Sequence, residues 1–396
     1  MRTDSFPPTT IGASRSPGGS FESFPCPNLK TPEPLAALRA SKPGLFVSPP
    51  FWKSRLSDLD AAAQSAKVLH CEEIGQSAGG RSIPAFSLGE FEPVSSTSTI
   101  SSAMASDRPG SFYDPQERQR PSLTLIGSIH GGETEGLAFA LSLIHLLETG
   151  KDTLGIERPH LIECLRRLRL NIVPCLNPDG RAAAAVDHLN GAGLEDLFLA
   201  QQGIFPDGTL FRGRRVKETQ PIPAGMLAHQ GGYYNADGVN LQHDDFFGPK
   251  LAPESEAIRN LFRREIPDGF LTMHAHGAPA AFLVPDAFLS SGMQRKQIEA
   301  STFILARLHA AEIPFLPSDQ IVTPPWSFFF QTWLHHMTGA TPLLFEFCHG
   351  MDMHPQSLET ILETGFQVFE AWIDYNLGFG PRPAAHEMFG AITPAK

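Results

Sequence analysis

The chain has 396 residues, with 31 lysine and arginine residues against 42 aspartate and glutamate residues. The net charge of -11 disfavours nonspecific binding to nucleic acid or to anionic membrane surfaces. No apolar run reaches the roughly 20 residues needed to cross a bilayer, and the start of the chain lacks the basic and apolar segments of a secretory signal. The 5 cysteines are odd in number and lack C-x-x-C spacing, so they predict neither a disulfide framework nor a thiolate zinc site. We therefore expect a globular cytoplasmic protein.

Residues 1–66 are predicted to form an irregular arm that ends in a short helix. The first fifty or so residues are rich in proline, serine and glycine, and only residues 33–40 look helical before the helix predicted at 50–66. Two strand-like segments then flank a glycine-rich turn, and the Ser/Thr-rich stretch 95–110 is predicted to be a surface loop. The remaining residues, 67–396, are predicted to form one domain.

The turn at residues 75–79 matches the G-x-S-x-G pattern of serine hydrolases. A nucleophile elbow requires a strand before the serine and a helix immediately after it, whereas turn and strand residues follow Ser77. We therefore interpret the match as accidental, with a Ser77 nucleophile as the alternative.

The segment 122–147 organises the rest of the chain. A buried strand is predicted from Leu123 to Ile129, and a helix is predicted to begin after Glu135. His130 and Glu133 lie in the turn between them, at the carboxyl end of the strand, where α/β sheets place their ligands. An imidazole and a carboxylate three residues apart can bind one zinc ion. The same spacing recurs at residues 70 and 73, where the context predicts ordinary surface residues.

Three further strands are predicted, at 168–176, 269–274 and 342–347, with helices at 253–264, 290–311 and 354–377. One strand stops at His274, and His276 lies on the same face as an alternative ligand. The last strand is apolar except for Glu346, whose burial costs several kcal/mol unless a cation offsets it. Glu346 is therefore either the partner of an arginine or a catalytic carboxylate beside a metal.

Taken together, these segments resemble those of the zinc metallocarboxypeptidase family of the M14 type, over residues 74–377. The matching segments, in chain order, are IGQSAGGRSI, SIHGGETEG, CLNPDG, FRGRR, ADGVNLQHDDFFG, FLTMHAHG and LLFEF. The resemblance implies a single α/β catalytic domain at 67–396, with a central mixed, twisted sheet flanked by helices on both faces and preceded by the irregular arm. It also implies a zinc-dependent hydrolase of peptide or amide bonds.

Site residues follow from the same resemblance. His130, Glu133 and His274 would hold one Zn²⁺ per chain and leave a fourth position for a water whose pKa the metal lowers toward about 7. Glu346 would act as the general base that takes the proton of that water. Arg212 would stabilise the developing oxyanion, with the arginines at positions 214 and 215 as alternatives.

Two departures from the family pattern bear on specificity. Gln242 and His243 stand where the carboxypeptidases have Asn-Arg, so the bidentate grip on a terminal carboxylate is missing, and His243 is expected to be charged only part of the time near neutrality. Trp326 and neighbouring phenylalanines replace a tyrosine and predict an apolar, aromatic wall. The substrate is predicted to be a peptide or acyl-amide, with an N-acyl amino acid deacylase or a silent zinc-binding protein as alternatives. Retention of Glu346 and Arg212 argues against the silent protein.

Overall fold

A mixed sheet of seven strands forms the centre of the protein. The structure is a computed structural model that describes residues 34–96, 98–106, 112, 118–213, 215–317 and 328–379. Position 326 and position 214 therefore lie outside the described residues, as does the first half of the predicted arm, residues 1–33. The strands are β1 (His70–Gln76), β2 (Ser82–Leu88), β3 (Ser122–Gly127), β4 (Arg169–Val173), β5 (Gly269–His276), β6 (Ala281–Phe282) and β7 (Thr341–Cys348).

The strand order is β1-β2-β4-β3-β5-β7-β6. The four inner strands β4, β3, β5 and β7 are parallel to one another, whereas β1, β2 and β6 pair antiparallel at the two sides. The predicted mixed α/β sheet is confirmed. Because the inner strands run in one direction, the segments that follow β3, β5 and β7 meet at the same edge of the sheet.

Helices cover both faces of this sheet. On one face, α4 and α12 contact the inner strands, and on the other α9 and α11 do so. Alternation along the strands explains the two layers, since Leu123 and Leu125 join one apolar cluster while Ile126 joins the other. The longer helices are α1 (Pro34–Ser41), α2 (Leu56–Ser65), α3 (Ile100–Ala105), α4 (Thr134–Thr149), α5 (Pro159–Leu165), α6 (Pro178–Ala184), α7 (Leu194–Gln201), α8 (Arg215–Glu218), α9 (Pro253–Glu265), α10 (Ser291–Ala310), α11 (Phe330–Thr338) and α12 (Leu358–Phe379).

The stretch predicted to be a surface loop at 95–110 contains α3, so that part of the prediction was wrong. Ile100 and Ala103 lie one turn apart and are buried against Phe112 and Ile266. Two small apolar contacts among serines therefore stabilise a helix turn where composition alone indicated a loop. The helix expected at 50–66 is also shorter, beginning at Leu56.

Several contacts tie the described part of the predicted arm to the sheet domain, and three of them involve Asp187. Trp52 donates its ring N–H to the Asp187 carbonyl at 3.0 Å, and Ser54 donates its hydroxyl to the same oxygen at 2.7 Å. Arg55 forms an ion pair with the Asp187 carboxylate. Residues Glu33–Lys396 accordingly form one compact unit.

The described cysteines, at positions 71, 164, 175 and 348, are free thiols. Within the described ranges, no helix combines the length and the apolar character needed to cross a membrane.

Candidate active site

The predicted metal ligands meet at the carboxyl ends of the inner strands. His130 follows β3, and Glu133 is the N-cap residue of α4. His274 lies in β5, and the register of the parallel pair places it opposite Glu346 of β7. Three neighbouring strand ends thus bring together side chains that are distant in sequence.

The loop that carries the first histidine is tightly constrained. Ser128 adopts a left-handed backbone with φ of 45°, and its hydroxyl donates to the Glu133 carbonyl at 3.1 Å. Gly131 donates its N–H to the Gly232 carbonyl at 2.7 Å, and a Cβ at Gly131 would overlap the backbone nitrogen of Arg181. The glycine is therefore required by a close backbone approach, which fixes the position of His130 beside it.

The three ligands form a closed, buried group. Nδ1 of His130 is 2.7 Å from Glu133 Oε1, and Nδ1 of His274 is 3.0 Å from Glu133 Oε2. His130, Glu133 and His274 are 6%, 2% and 2% exposed, so water does not screen these contacts. All three donor atoms lie within 4.8 Å of one another. One carboxylate thus faces two imidazole nitrogens across a space that a single cation can bridge.

The hydrogen bonding of this group fits a metal. His130 Nε2 is 3.0 Å from the Asn240 side-chain oxygen, which only accepts, so Nε2 carries the ring proton and Nδ1 of the neutral ring keeps its lone pair for a cation. Burial by itself raises the pKa of Glu133, but the two imidazoles outweigh it and lower that pKa below its ordinary value. The donor set of two imidazoles and one ionised carboxylate is that of catalytic zinc sites with an open position.

Glu346 lies next to this group. Its Oε2 atom is buried and has no hydrogen-bond partner among the described residues. Burial raises the pKa of Glu346 to about 7, although the nearby His274 opposes the shift. The structure shows no arginine paired with it in the described ranges; the basic side chains that lower its pKa are His274, His349 and Lys217. Of the two interpretations of this carboxylate, the geometry favours a catalytic role.

The structure separates the predicted alternatives from the site. His276 Nε2 is 2.8 Å from the Pro279 carbonyl, so this nitrogen is already engaged. Ser77 donates to Asp179 at 2.7 Å in the hairpin between β1 and β2, and no helix follows it directly, which agrees with an accidental motif. His70 is exposed at the start of the edge strand β1.

One residue of the basic segment, Lys217, lies near the metal-ligand group and was not predicted from the sequence. Arg212 is exposed, with its guanidinium carbon 5.8 Å from the centre of the Phe198 ring, and Arg215 is exposed as well. Lys217, at the end of the same segment, interacts electrostatically with both Glu133 and Glu346. The only sequence signal for Lys217 is its position in the basic run FRGRRVK.

The two residues that replace Asn-Arg are held by neighbours. Gln242 is 4% exposed and donates its side-chain amide to Gln331 at 3.0 Å. His243 accepts a hydrogen bond at Nε2 from Lys217 Nζ at 2.7 Å. Burial, and then the neighbouring Lys217 charge, lower the pKa of His243 to about 3. The expectation that His243 is partly charged near neutrality is therefore wrong, because its surroundings oppose a second positive charge.

Two more site residues were not predicted. Asn240 orients His130 from two positions before Gln242, inside the same motif. The ring of Tyr233 packs on His130 with centroids 4.2 Å apart, and burial raises the pKa of its phenol. Both reach the site from a loop about a hundred residues after His130. The shared motif is the only sequence signal for Asn240, and the sequence gives no signal for Tyr233.

A second group of possible ligands lies elsewhere, between α5 and α12. His160 Nε2 is 2.7 Å from Asp374 Oδ1, and Cys164 Sγ is 3.7 Å from each of these atoms. The His160 side chain is 59% exposed. This group forms a surface ion pair that links two helices.

Comparison with known proteins finds similarity to zinc carboxypeptidases. The family model described as zinc carboxypeptidase, Peptidase_M14, matches residues 56–198, which include His130 and Glu133. Human Carboxypeptidase Z is 26% identical over 224 residues, and mouse Carboxypeptidase Z is 27% identical over 224 residues. These alignments cover 53% of this chain and 30% of the relatives, so the chain spans about a third of the length of the curated relatives it matches.

Solved structures show the same fold. A metallo-carboxypeptidase from Burkholderia cenocepacia superposes with a TM-score of 0.52 and 17% identity, covering 82% of this chain and 68% of that one. A putative carboxypeptidase from Burkholderia mallei gives a TM-score of 0.51 and 17% identity, covering 81% and 66%. The predicted resemblance to the zinc metallocarboxypeptidase family is confirmed, and the chain has the fold of these enzymes.

Proposed function

We propose that the protein is a zinc-dependent hydrolase of peptide or amide bonds. The observation that carries this proposal is the placement of two imidazole Nδ1 atoms against the two oxygens of one buried carboxylate, with a second carboxylate on the next strand. His130, Glu133 and His274 would hold one zinc ion per chain, and Glu346 would be the general base. The names of the curated relatives and the match to the zinc carboxypeptidase family support this class of reaction.

Zinc bound there would act as a Lewis acid and would lower the pKa of a bound water toward about 7. Glu346, whose Oε2 is buried without a partner among the described residues, accepts the proton of the attacking water and later delivers it to the leaving nitrogen. Asn240 holds His130 in the tautomer that the metal requires.

The predicted oxyanion role of Arg212 stays a prediction. In the structure Arg212 is exposed above Phe198 and makes none of the hydrogen bonds within the metal-ligand group. If Arg212 stabilises the oxyanion, Arg212→Ala lowers kcat by roughly 100-fold with little change in KM. An unchanged kcat assigns the role to another group.

The altered pair Gln242 and His243 leaves the substrate class open, with an N-acyl amino acid deacylase as the second candidate. A bidentate guanidinium selects peptides by their terminal carboxylate, and neither a buried glutamine nor a neutral histidine forms that fork. The substrate is therefore either a peptide or an acylated amino acid. A silent zinc-binding protein is disfavoured because a carboxylate buried without a partner, such as Glu346, is costly to keep without a use.

The test combines metal removal with a substrate screen. Purified protein is assayed against a mixed library of blocked peptides and N-acyl amino acids, then dialysed against a chelator and reloaded with zinc. The proposal expects hydrolysis that disappears with the metal and returns with it. Hydrolysis that persists in the metal-free protein would contradict the proposal, as would a zinc-loaded protein that cleaves no member of the library.

A further inference from the structure

Lys217 places a positive charge near the metal-ligand group. In this part of the site the sequence lacks the arginine that carries a positive charge in the family. Its Nζ atom lies 2.7 Å from His243 Nε2, and its charge acts on Glu133 and Glu346. The residue as a whole is exposed at the surface, but its ammonium is desolvated by the protein around it, beside the two carboxylates that it attracts. Lys217 thus reaches, from α8, the residue that stands in place of the family's carboxylate-binding arginine.

The contact with His243 orients the ammonium without neutralising it. An ammonium has three N–H donors and no lone pair, so Lys217 donates one hydrogen bond to the neutral imidazole and keeps two donors for a ligand. His243 is itself fixed, because Gln220 donates to its carbonyl at 2.6 Å and the Phe329 ring lies 5.4 Å from its imidazole. A flexible lysine is therefore held in one direction before substrate arrives.

The charges of the site leave room for one anion. Glu133 and Glu346 carry at most two negative charges, and a divalent metal between the ligands balances them. Lys217 then adds one positive charge, and the described arginines of the same segment, Arg212 and Arg215, are both exposed. A single substrate carboxylate balances that charge, whereas a neutral amide leaves it uncompensated.

We propose that Lys217 is a specificity-determining residue that binds a substrate carboxylate next to the scissile bond, with His243 as its support. This inference rests on the proposed hydrolase function and names its substrate class. The carboxylate is either the C-terminus of a peptide or that of an N-acyl amino acid, since both place it beside the amide that is cleaved. A lysine forms a point contact in place of a bidentate fork, so selection is present but weaker than an arginine would give.

The test measures binding in the full-length, zinc-loaded Glu346→Gln protein, so that turnover is not needed. Calorimetry compares acetyl-Phe-Phe with its C-terminal amide, and N-acetyl-phenylalanine with its amide. Lys217→Ala is expected to weaken binding of the acids by roughly 10- to 100-fold, the range of a charge-assisted hydrogen bond, and of the amides by less than about threefold. Whichever acid binds more tightly identifies the source of the carboxylate.

Lys217→Arg keeps the charge and is expected to stay within about tenfold of the parent protein. The matched control is Lys151→Ala, a surface lysine whose side chain is 57% exposed, which should change nothing. Zinc content and circular dichroism confirm that each variant is folded. Equal weakening of acids and amides would overturn the proposal, because Lys217 would then act on a group common to both. Unchanged binding of the acids in Lys217→Ala would overturn it as well.

The result separates this inference from the proposed function. A protein that binds the acids through Lys217 but hydrolyses no substrate contradicts the hydrolase proposal and supports the anion site. A protein that hydrolyses amides with no dependence on Lys217 supports the hydrolase and overturns the anion site.

Discussion

Two groups of metal-binding side-chain types occur in the described part of this protein, and they differ in how they are held. His130, Glu133 and His274 lie at the ends of two inner strands and are almost completely buried. The second group, between α5 and α12, includes a histidine whose side chain is 59% exposed. Proximity of ligand atoms is common to both, so proximity alone does not identify a metal site.

The two groups differ in the free-energy cost of burying their charges and in the hydrogen bonds that hold their side chains. An ionised carboxylate such as Glu133 is expensive to bury, and here each of its oxygens faces an imidazole, one of which is fixed by Asn240. In the second group, His160 and Asp374 keep contact with water and satisfy each other. A buried carboxylate whose imidazole partner is held by a further residue indicates a functional site. A solvent-exposed pair is explained by the contact that it makes between two helices.

The largest expected effect separates chemistry from metal binding in the buried group. Glu346→Gln keeps the shape of the side chain but cannot accept a proton, so kcat should fall by roughly 100-fold or more while zinc stays bound. Steady-state kinetics with parallel metal analysis measures this. Glu359→Gln, on the first turn of α12, is the matched control and should retain activity. Near-normal turnover in Glu346→Gln would mean that another group is the base.

A second prediction tests the bracing of the buried group. Asn240→Ala removes the acceptor of the His130 Nε2 hydrogen bond, so zinc affinity should fall by roughly 10- to 100-fold. Asn240→Asp retains an acceptor oxygen and should bind zinc at least as well as the parent. Competition with a chromogenic chelator measures both constants. Equal affinities in the alanine variant and the parent would show that the ligands need no such support.

A third prediction concerns pH and the cation beside the buried group. Burial lowers the pKa of Lys217 to about 8 against the carboxylates of Glu133 and Glu346, and His243 has a pKa of about 3 and stays neutral. The preference for a free acid over its amide should therefore decline by up to about tenfold between pH 7 and pH 9, as the ammonium loses its proton.

In Lys217→Arg the same preference should be nearly independent of pH, because guanidinium stays protonated. Calorimetry in the Glu346→Gln background removes the titration of that carboxylate. A parallel decline in both proteins would assign the pH dependence to a group other than Lys217.

The smallest expected effect belongs to the exposed group. His160→Ala should lower the free energy of unfolding by less than about 1 kcal/mol, since exposed ion pairs contribute little. Chemical denaturation of the zinc-loaded protein measures it, with Cys164→Ser beside it. A loss above about 2 kcal/mol would mean that this group contributes more than a surface contact.

The sequence predicted the buried ligands because they occur where local patterns change. His130 and Glu133 interrupt a strand-to-helix transition, and His274 lies near the end of an apolar strand, which continues to His276 and does not stop at His274 as predicted. The pair with the same spacing at 70 and 73 lies in an edge strand. The strand order could follow from the same patterns and the family resemblance. Periodicity thus located both the sheet and the metal-ligand candidates.

Contacts between distant loops could not be predicted in this way. Lys217 meets His243 across 26 positions, and Asn240 meets His130 across 110. Apart from the basic run that contains Lys217 and the family-like motif that contains Asn240, no local pattern marks these residues. The charge of His243 was misjudged for the same reason, because its pKa depends on burial and on Lys217. Residues that tune the site are therefore visible only once the fold brings them together.

The account depends most directly on where the metal binds. Zinc content should be measured by mass spectrometry in the purified full-length protein, in His274→Ala and in His160→Ala. We expect about one zinc per chain in the parent and in His160→Ala, and essentially none in His274→Ala, since two remaining ligands hold zinc poorly. Zinc retained in His274→Ala but lost in His160→Ala would contradict the assignment and make the exposed group the metal site.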